Sequence, residues 1–299
     1  MKKRVLTFAL LFALISTSMS LFAADRAKCS RVNGVQLGVI TYSYRSMPNQ
    51  NLEDILDYVV ASGISSVELM GDVVEKHMGL PEVDKKDSEG IARAWRGNLC
   101  MTKAKEIRQM FESRGVKIHI LKLGKVNWSD EEIDYAFEVC KALGAKGLTM
   151  EISDAAAARY APFAEKHQTY VIFHNHLQAK DPKFSYEKAL SYNKYMLINF
   201  DLGHYYAATG INPCRFIERM HKRIFSLHLK DKTGKFHAEP NVNHPFGKGT
   251  TPLAEVLCLV RDKQYPIFCD IELEYPVPAG SDAVKEVSRC IEYCKNALK

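Results

Sequence analysis

Two spacings of apolar residues alternate along the chain. Short, nearly unbroken apolar runs rich in β-branched residues predict buried strands at Val35–Thr41, Ser65–Met70, Val116–Leu123, Lys146–Glu151, Thr169–Asn175, Met196–Asp201, Arg223–Leu229 and Pro266–Leu273. Between them apolar positions recur at helical spacing. Leu52, Ile55, Leu56, Val59 and Val60 form one stripe, and Ile107, Met110 and Phe111 another. Ile133, Phe137, Cys140 and Leu143 follow Ser129-Asp-Glu-Glu132, a helix-start signal. Phe216, Ile217 and Met220, then Leu253, Val256, Leu257 and Val260, then Val284, Val287, Ile291 and Leu298 continue the series. Gly63, Gly115 and Gly144 fall just past helix ends, where a left-handed residue closes the last turn.

Strand and helix repeated eight times imply a parallel sheet, and eight units close into a (β/α)8 TIM barrel. An open doubly wound α/β sheet has less support, since no Gly-x-Gly-x-x-Gly follows an early strand. No Pro- or Ser-rich linker divides the chain, so residues 25–299 read as one domain. The stretch Gly71–Asn98 is longer than an ordinary βα loop and predicts an extended insertion, or a lid over the C-terminal mouth of the barrel.

The first 24 residues read differently. Lys2, Lys3 and Arg4 precede an apolar run from Val5 to Ile15, and small residues lead to Ala23-Ala24. That is the pattern of a secretory signal peptide, too short for a membrane span. The expectation is an exported, periplasmic protein with no span after cleavage. The formal charge of +6 falls to +3 without this segment, too small a surplus for a nucleic-acid-binding face. The eight cysteines show neither Cys-x-x-Cys nor a zinc spacing, so no obligate disulfide framework is expected.

Candidate chemistry gathers where a barrel of this kind carries it, at the C-terminal strand ends. Strands four to eight end in Leu-Thr-Met-Glu151, Phe-His174-Asn-His176, Asp201-Leu-Gly-His204, His228-Leu-Lys230-Asp231 and Ile-Glu272-Leu-Glu274. Carboxylates crowded at one mouth repel unless a cation compensates them. Glu151, Asp201, His228 and Glu272 make a mainly hard donor set suited to one Mn²⁺, Mg²⁺, Co²⁺ or Zn²⁺. Strands four and eight lie opposite each other, so Glu151 and Glu272 would face across the mouth as acid and base on either side of a substrate. Lys122, ending strand three, either polarises a substrate oxygen or forms a salt bridge, and Glu68 near the end of strand two is open in the same way to a structural or a functional reading. Gly247-Lys-Gly249 reads as a loop that closes over substrate rather than a phosphate cradle.

These endings, with Gly247-Lys-Gly249, resemble the xylose isomerase-like barrel family, the superfamily of sugar phosphate isomerases/epimerases and endonuclease-IV-like enzymes. The likeness runs from about Leu37 to Leu298. The resemblance to its ketose 3-epimerases implies metal ligation by Glu151, Asp201, His228 and Glu272, and catalysis by Glu151 and Glu272. It implies substrate contact by His204, with His176, Lys230, Lys122 and His174 as further contacts. Glu274 rivals Glu272 as ligand. The implied activity is isomerisation or epimerisation of an unphosphorylated sugar or keto-sugar through an enediolate. The alternatives are a 3-keto-glycoside lyase using the same site and a carbohydrate-binding protein without catalysis. A small-molecule carbohydrate is the expected partner, nucleic acid is not, and assembly as a homo-oligomer is left open.

Overall fold

A computed structural model describes residues 26–83, 88–98 and 100–299. The segment expected to be a signal peptide, residues 1–24, lies outside the described residues. Eight parallel strands, β1 (Val35–Ile40), β2 (Ser66–Met70), β3 (Lys117–Lys122), β4 (Gly147–Glu151), β5 (Tyr170–His174), β6 (Met196–Asp201), β7 (Ile224–Leu229) and β8 (Phe268–Ile271), pair in sequence order. The pairing of β1 with β8 closes the ring. A two-residue strand, Arg31–Val32, adds an antiparallel edge to β1 beneath it. Each of the eight parallel strands falls within its predicted range, the Arg31–Val32 strand was not predicted, and the architecture is a single-domain TIM barrel.

Helices α1 (Leu52–Ala61), α2 (Gly71–Met78), α3 (Ser88–Arg96), α4 (Thr102–Ser113), α5 (Asp130–Ala142), α6 (Asp154–His167), α7 (Tyr186–Leu190), α8 (Leu202–Thr209), α9 (Pro213–Met220), α10 (Leu253–Asp262) and α11 (Ala283–Ala297) surround the barrel. The Ser129 signal is a full capping box: Ser129 Oγ accepts from Glu132 N, and Glu132 Oε2 accepts from Ser129 N. Gly144, past α5, has φ +75° and takes the left-handed position expected of it. Among the described residues no helix is long and apolar enough to cross a membrane.

The predicted insertion contains helices α2 and α3 rather than bare loop. Arg96 explains how it is held. Its guanidinium makes two hydrogen bonds to Glu75 (2.7 and 2.8 Å) and one to Glu132 (2.7 Å), and lies 4.0 Å from the Trp128 ring centroid. The planar fork ties α3 to α2 and to the first turn of α5, on the flank of the barrel.

The apolar core lies between sheet and helices, and the lumen is polar. The floor is a closed relay: Ser66 Oγ meets His119 Nδ1 at 2.9 Å, and His119 Nε2 meets Asp270 Oδ2 at 2.8 Å. Asp270 is fully buried and its other oxygen has no partner among the described residues. His119→Leu would leave that carboxylate without a side-chain hydrogen-bond partner among the described residues. A loss of roughly 3–5 kcal/mol in urea unfolding is expected, the usual cost of orphaning a buried charge; an unchanged midpoint would refute the relay's structural role.

Candidate functional site

Strand register brings the polar endings to one level. Glu151 pairs with His174 across β4–β5, and Asp201 with His228 across β6–β7. Glu272, just past β8, donates its N–H to Leu229 O at 3.1 Å. Side chains two residues apart on a strand share a face, so Asn199 and Asp201 point inward together, as do Ser226, His228 and Lys230.

Four inward groups, His174, Asp201, His228 and Glu272, are buried and offer ligand atoms that all lie within 4.8 Å of one another. Asp201 and His228, on which the sequence reading depended, are both in the cluster. Glu151 is not in this quartet. It stands outside it with His174 and His176 in a second group of the same tightness, and its side chain is 45% exposed. His174 joins the two groups: Nδ1 is 3.5 Å from Glu151 Oε2, and Nε2 is 3.4 Å from Asp201 Oδ2 and 3.9 Å from Glu272 Oε2. A single imidazole thus reaches both carboxylates expected to face across the mouth. From its motif His174 is expected only to contact substrate; its inward register opposite Glu151 is what adds it to the cluster.

The quartet has the character of a cation site. His174 Nε2 is buried without a well-directed hydrogen bond among the described residues, and Asp201 Oδ2, which faces it, is paired with the Lys230 ammonium at 3.0 Å. A buried ring nitrogen left without a hydrogen bond calls for a further partner. Two imidazole nitrogens and two carboxylates are a donor set that Mn²⁺, Co²⁺ or Zn²⁺ accepts. The residues present therefore fit a divalent ion.

Lys230 is the cation the structure does show there. Its ammonium lies 2.8 Å from Glu272, 2.9 Å from Glu274, 3.0 Å from Asp201 and 3.0 Å from His204 Nε2. Burial alone would raise the Asp201 and Glu272 carboxyls; the Lys230 charge is the largest influence holding both below the ordinary range. Glu274 is engaged by Lys230 and is not in the quartet.

Glu151 is similarly held well below the carboxylate range. Burial works against ionisation, and the hydrogen bonds of His174 and His176, with the Lys122 charge, overcome it. Lys122 Nζ is 3.4 Å from Glu151 Oε1 and His176 Nδ1 is 3.0 Å from Glu151 Oε2. Both partners are partly exposed, so the ion pair leaves Lys122 within reach of a ligand.

Beneath the quartet lies a layer whose part the sequence did not reveal. His228 Nδ1 is 2.8 Å from Glu272 Oε2, and its Nε2 is 2.8 Å from Glu68 Oε2. Asn199 Nδ2 donates to the same Glu68 oxygen at 2.8 Å, and Asn199 Oδ1 accepts from Ser226. Glu68 thus fixes the imidazole with Nδ1 turned to the cluster, as an outer carboxylate orients a ligating histidine. Burial would raise Glu68, but the adjoining His228 keeps it lowered, and Glu272 and Glu68 in turn hold His228 well above the ordinary histidine value against its own burial.

The Gly247–Gly249 loop is not a phosphate cradle. The amides of Gly247 and Gly249 donate to Asp231 Oδ2 at 2.8 and 3.0 Å, and that of Thr251 donates to Oδ1 at 3.2 Å. Asp231 pins the loop, and these amides are not free for a ligand.

A profile of the family described as Xylose isomerase-like TIM barrel matches residues 56–294. No curated protein matches the chain. Among solved structures it is similar to a sugar phosphate isomerase/epimerase from Parabacteroides distasonis, 15% identical, covering 91% of this chain and 97% of that one, with TM-score 0.61. It is similar to the probable 3-DHS dehydratase AsbF of Bacillus anthracis, 14% identical, covering 86% and 98%, with TM-score 0.61. A xylose isomerase domain protein from Alicyclobacillus acidocaldarius is 15% identical, covering 88% and 99%, again with TM-score 0.61. At such identities the structural likeness is one of fold, while the profile spans most of the sequence. The chain belongs to the xylose isomerase-like TIM barrel family.

Proposed function

We propose that the protein is a divalent-metal-dependent enzyme that removes a proton next to a carbonyl of an unphosphorylated sugar or keto-sugar, in an isomerase or epimerase reaction. The observation that carries this reading is the buried His174–Asp201–His228–Glu272 quartet, in which His174 Nε2 lacks a hydrogen bond among the described residues, beside an ionised, half-exposed Glu151.

His174, Asp201, His228 and Glu272 would hold the ion, with Glu68 orienting His228. When bound, the ion would polarise the substrate carbonyl and take up the charge that develops on enolisation. Glu151 is placed to take the proton, because its carboxylate is ionised and open to the mouth. Glu272, four strands away in the ring, is the acid–base partner on the other face. Lys122 and His176 would orient substrate oxygens around Glu151, while Lys230 and His204 would do so around Asp201. Export to the periplasm, proposed from the N-terminal segment, accords with a substrate lacking phosphate.

Titrating metal-stripped protein with Mn²⁺, Co²⁺ and Zn²⁺ should give one tight site per chain, lost in Asp201→Ala. Incubation with keto-sugars in deuterated buffer should place deuterium on the carbon beside the carbonyl. Carbon-complete products indicate isomerisation or epimerisation; release of an aglycone from a 3-keto-glycoside would point to the lyase reading. Binding of sugar with neither ion uptake nor exchange would leave only a carbohydrate-binding protein.

A further inference from the structure

Lys232 has no part in the chemistry above, yet it is only 3% exposed. It lies three residues beyond β7, and its backbone is clamped. The N–H donates to Thr251 Oγ1 at 3.0 Å, and the carbonyl accepts from Thr250 N at 3.0 Å. Its stem runs against the first turn of α8, where Gly203 makes room. A Cβ at position 203 would lie 2.6 Å from Lys230 O and 2.9 Å from Lys232 Cγ.

Lys232 forms no ion pair and no side-chain hydrogen bond among the described residues. The carboxylates of the neighbourhood do not serve it: Asp201, Glu272 and Glu274 all lie within 3.0 Å of Lys230. Burial, together with the Lys230 charge, lowers its pKa from the usual lysine value, as expected of an ammonium without a counter-ion.

A second donor without an acceptor lies on α8, one residue past Gly203. Lys230 Nζ is 3.0 Å from His204 Nε2, and an ammonium can only donate, so Nε2 accepts. The proton of the neutral ring is therefore on Nδ1, which is buried and partnerless. Two donors without an acceptor, one of them charged, are costly to bury unless a ligand brings the acceptor.

We propose that Lys232, with His204 Nδ1–H, binds an anionic oxygen of the substrate, so that the site takes sugar acids bearing a carboxylate in preference to neutral sugars. A carboxylate, whose two oxygens only accept, supplies what one charged and one neutral donor lack. This inference rests on reading the C-terminal mouth as the substrate site.

The test compares binding of glucuronate, glucose and glucose 6-phosphate to the metal-loaded protein and to Lys232→Gln and Lys232→Arg, alongside deuterium exchange with the corresponding keto-sugars. The wild type should bind the uronate roughly tenfold or more tighter than the neutral sugar, the scale of one charged hydrogen bond. Lys232→Gln should erase the preference and Lys232→Arg keep much of it. Lys232→Met should unfold at a higher temperature than wild type, since it removes an unpaired buried charge; a lysine serving the fold would give the opposite sign. Equal affinity for acid and neutral sugars, a preference that survives in Lys232→Gln, or tighter binding of the phosphate would overturn the proposal. Acid preference without any exchange would sink the proton-abstraction reading alone, and equally efficient exchange with neutral sugars would sink only the role of Lys232.

Discussion

Glu151→Gln is expected to slow deuterium exchange by roughly 10²–10⁴-fold, the range associated with a positioned general base. The substitution keeps size and hydrogen-bonding capacity but removes the charge that His174, His176 and Lys122 stabilise. A neutral amide cannot accept the substrate proton. Affinity for the ion should change much less than turnover, because Glu151 lies outside the buried quartet. His174→Ala should show the reverse emphasis, losing ion affinity first. Single-turnover exchange measured at saturating Mn²⁺, with ion affinity determined separately, distinguishes the two. A Glu151→Gln protein exchanging at the wild-type rate would remove the base from the mechanism. Ion affinity lost in step with turnover would instead make Glu151 a ligand, as the sequence pattern alone suggests.

That ambiguity shows what the sequence can and cannot convey. Strand positions were legible because the strands are largely buried on both faces and read as nearly unbroken apolar runs, and the acidic and imidazole endings were legible because they interrupt those runs. Which ending points where was not. The ladder slips by one residue between β2 and β3, leaving His119 unpaired, and between β6 and β7, leaving Phe225 unpaired. Each slip resets which side chains share a level across the lumen, and no local pattern announces it. Glu68 looked like one more charge near a strand end, because its partner His228 is 160 residues away in sequence. Lys232 carried no signal either: its significance lies in lacking a partner, which only three-dimensional packing reveals. Helices α2 and α3 were hidden for another reason. Their apolar faces are short, and α3 is held partly by Arg96, whose acceptors come from α2 and α5.

Lys230→Met should be the most destabilising single substitution at the mouth. The side chain is among the largest that are fully buried, so methionine preserves most of its volume while deleting the charge. Asp201, Glu272 and Glu274 would lose the ammonium each now meets at 3.0 Å or less. Stranding buried carboxylates in this way costs about 3–5 kcal/mol, or a fall of roughly 6–20 °C in unfolding temperature for a chain of this size. A bound divalent ion supplies positive charge to the same carboxylates and stabilises the folded state by mass action, about 2.7 kcal/mol at a hundredfold excess over Kd. The variant should therefore gain more from Mn²⁺ than the wild type, in which Lys230 competes for Asp201 and Glu272. The pH dependence has a defined sign. The folded Asp201 carboxyl sits below its unfolded value near 3.9, so the stability it contributes is fully present above that pH and is lost as pH falls through the folded value. The gap between wild type and variant should be complete at pH 7 and narrow below about pH 4. A variant matching wild-type stability at pH 7 without metal would mean that the carboxylates are compensated from elsewhere, and that Lys230 is not the cation on which the cluster depends.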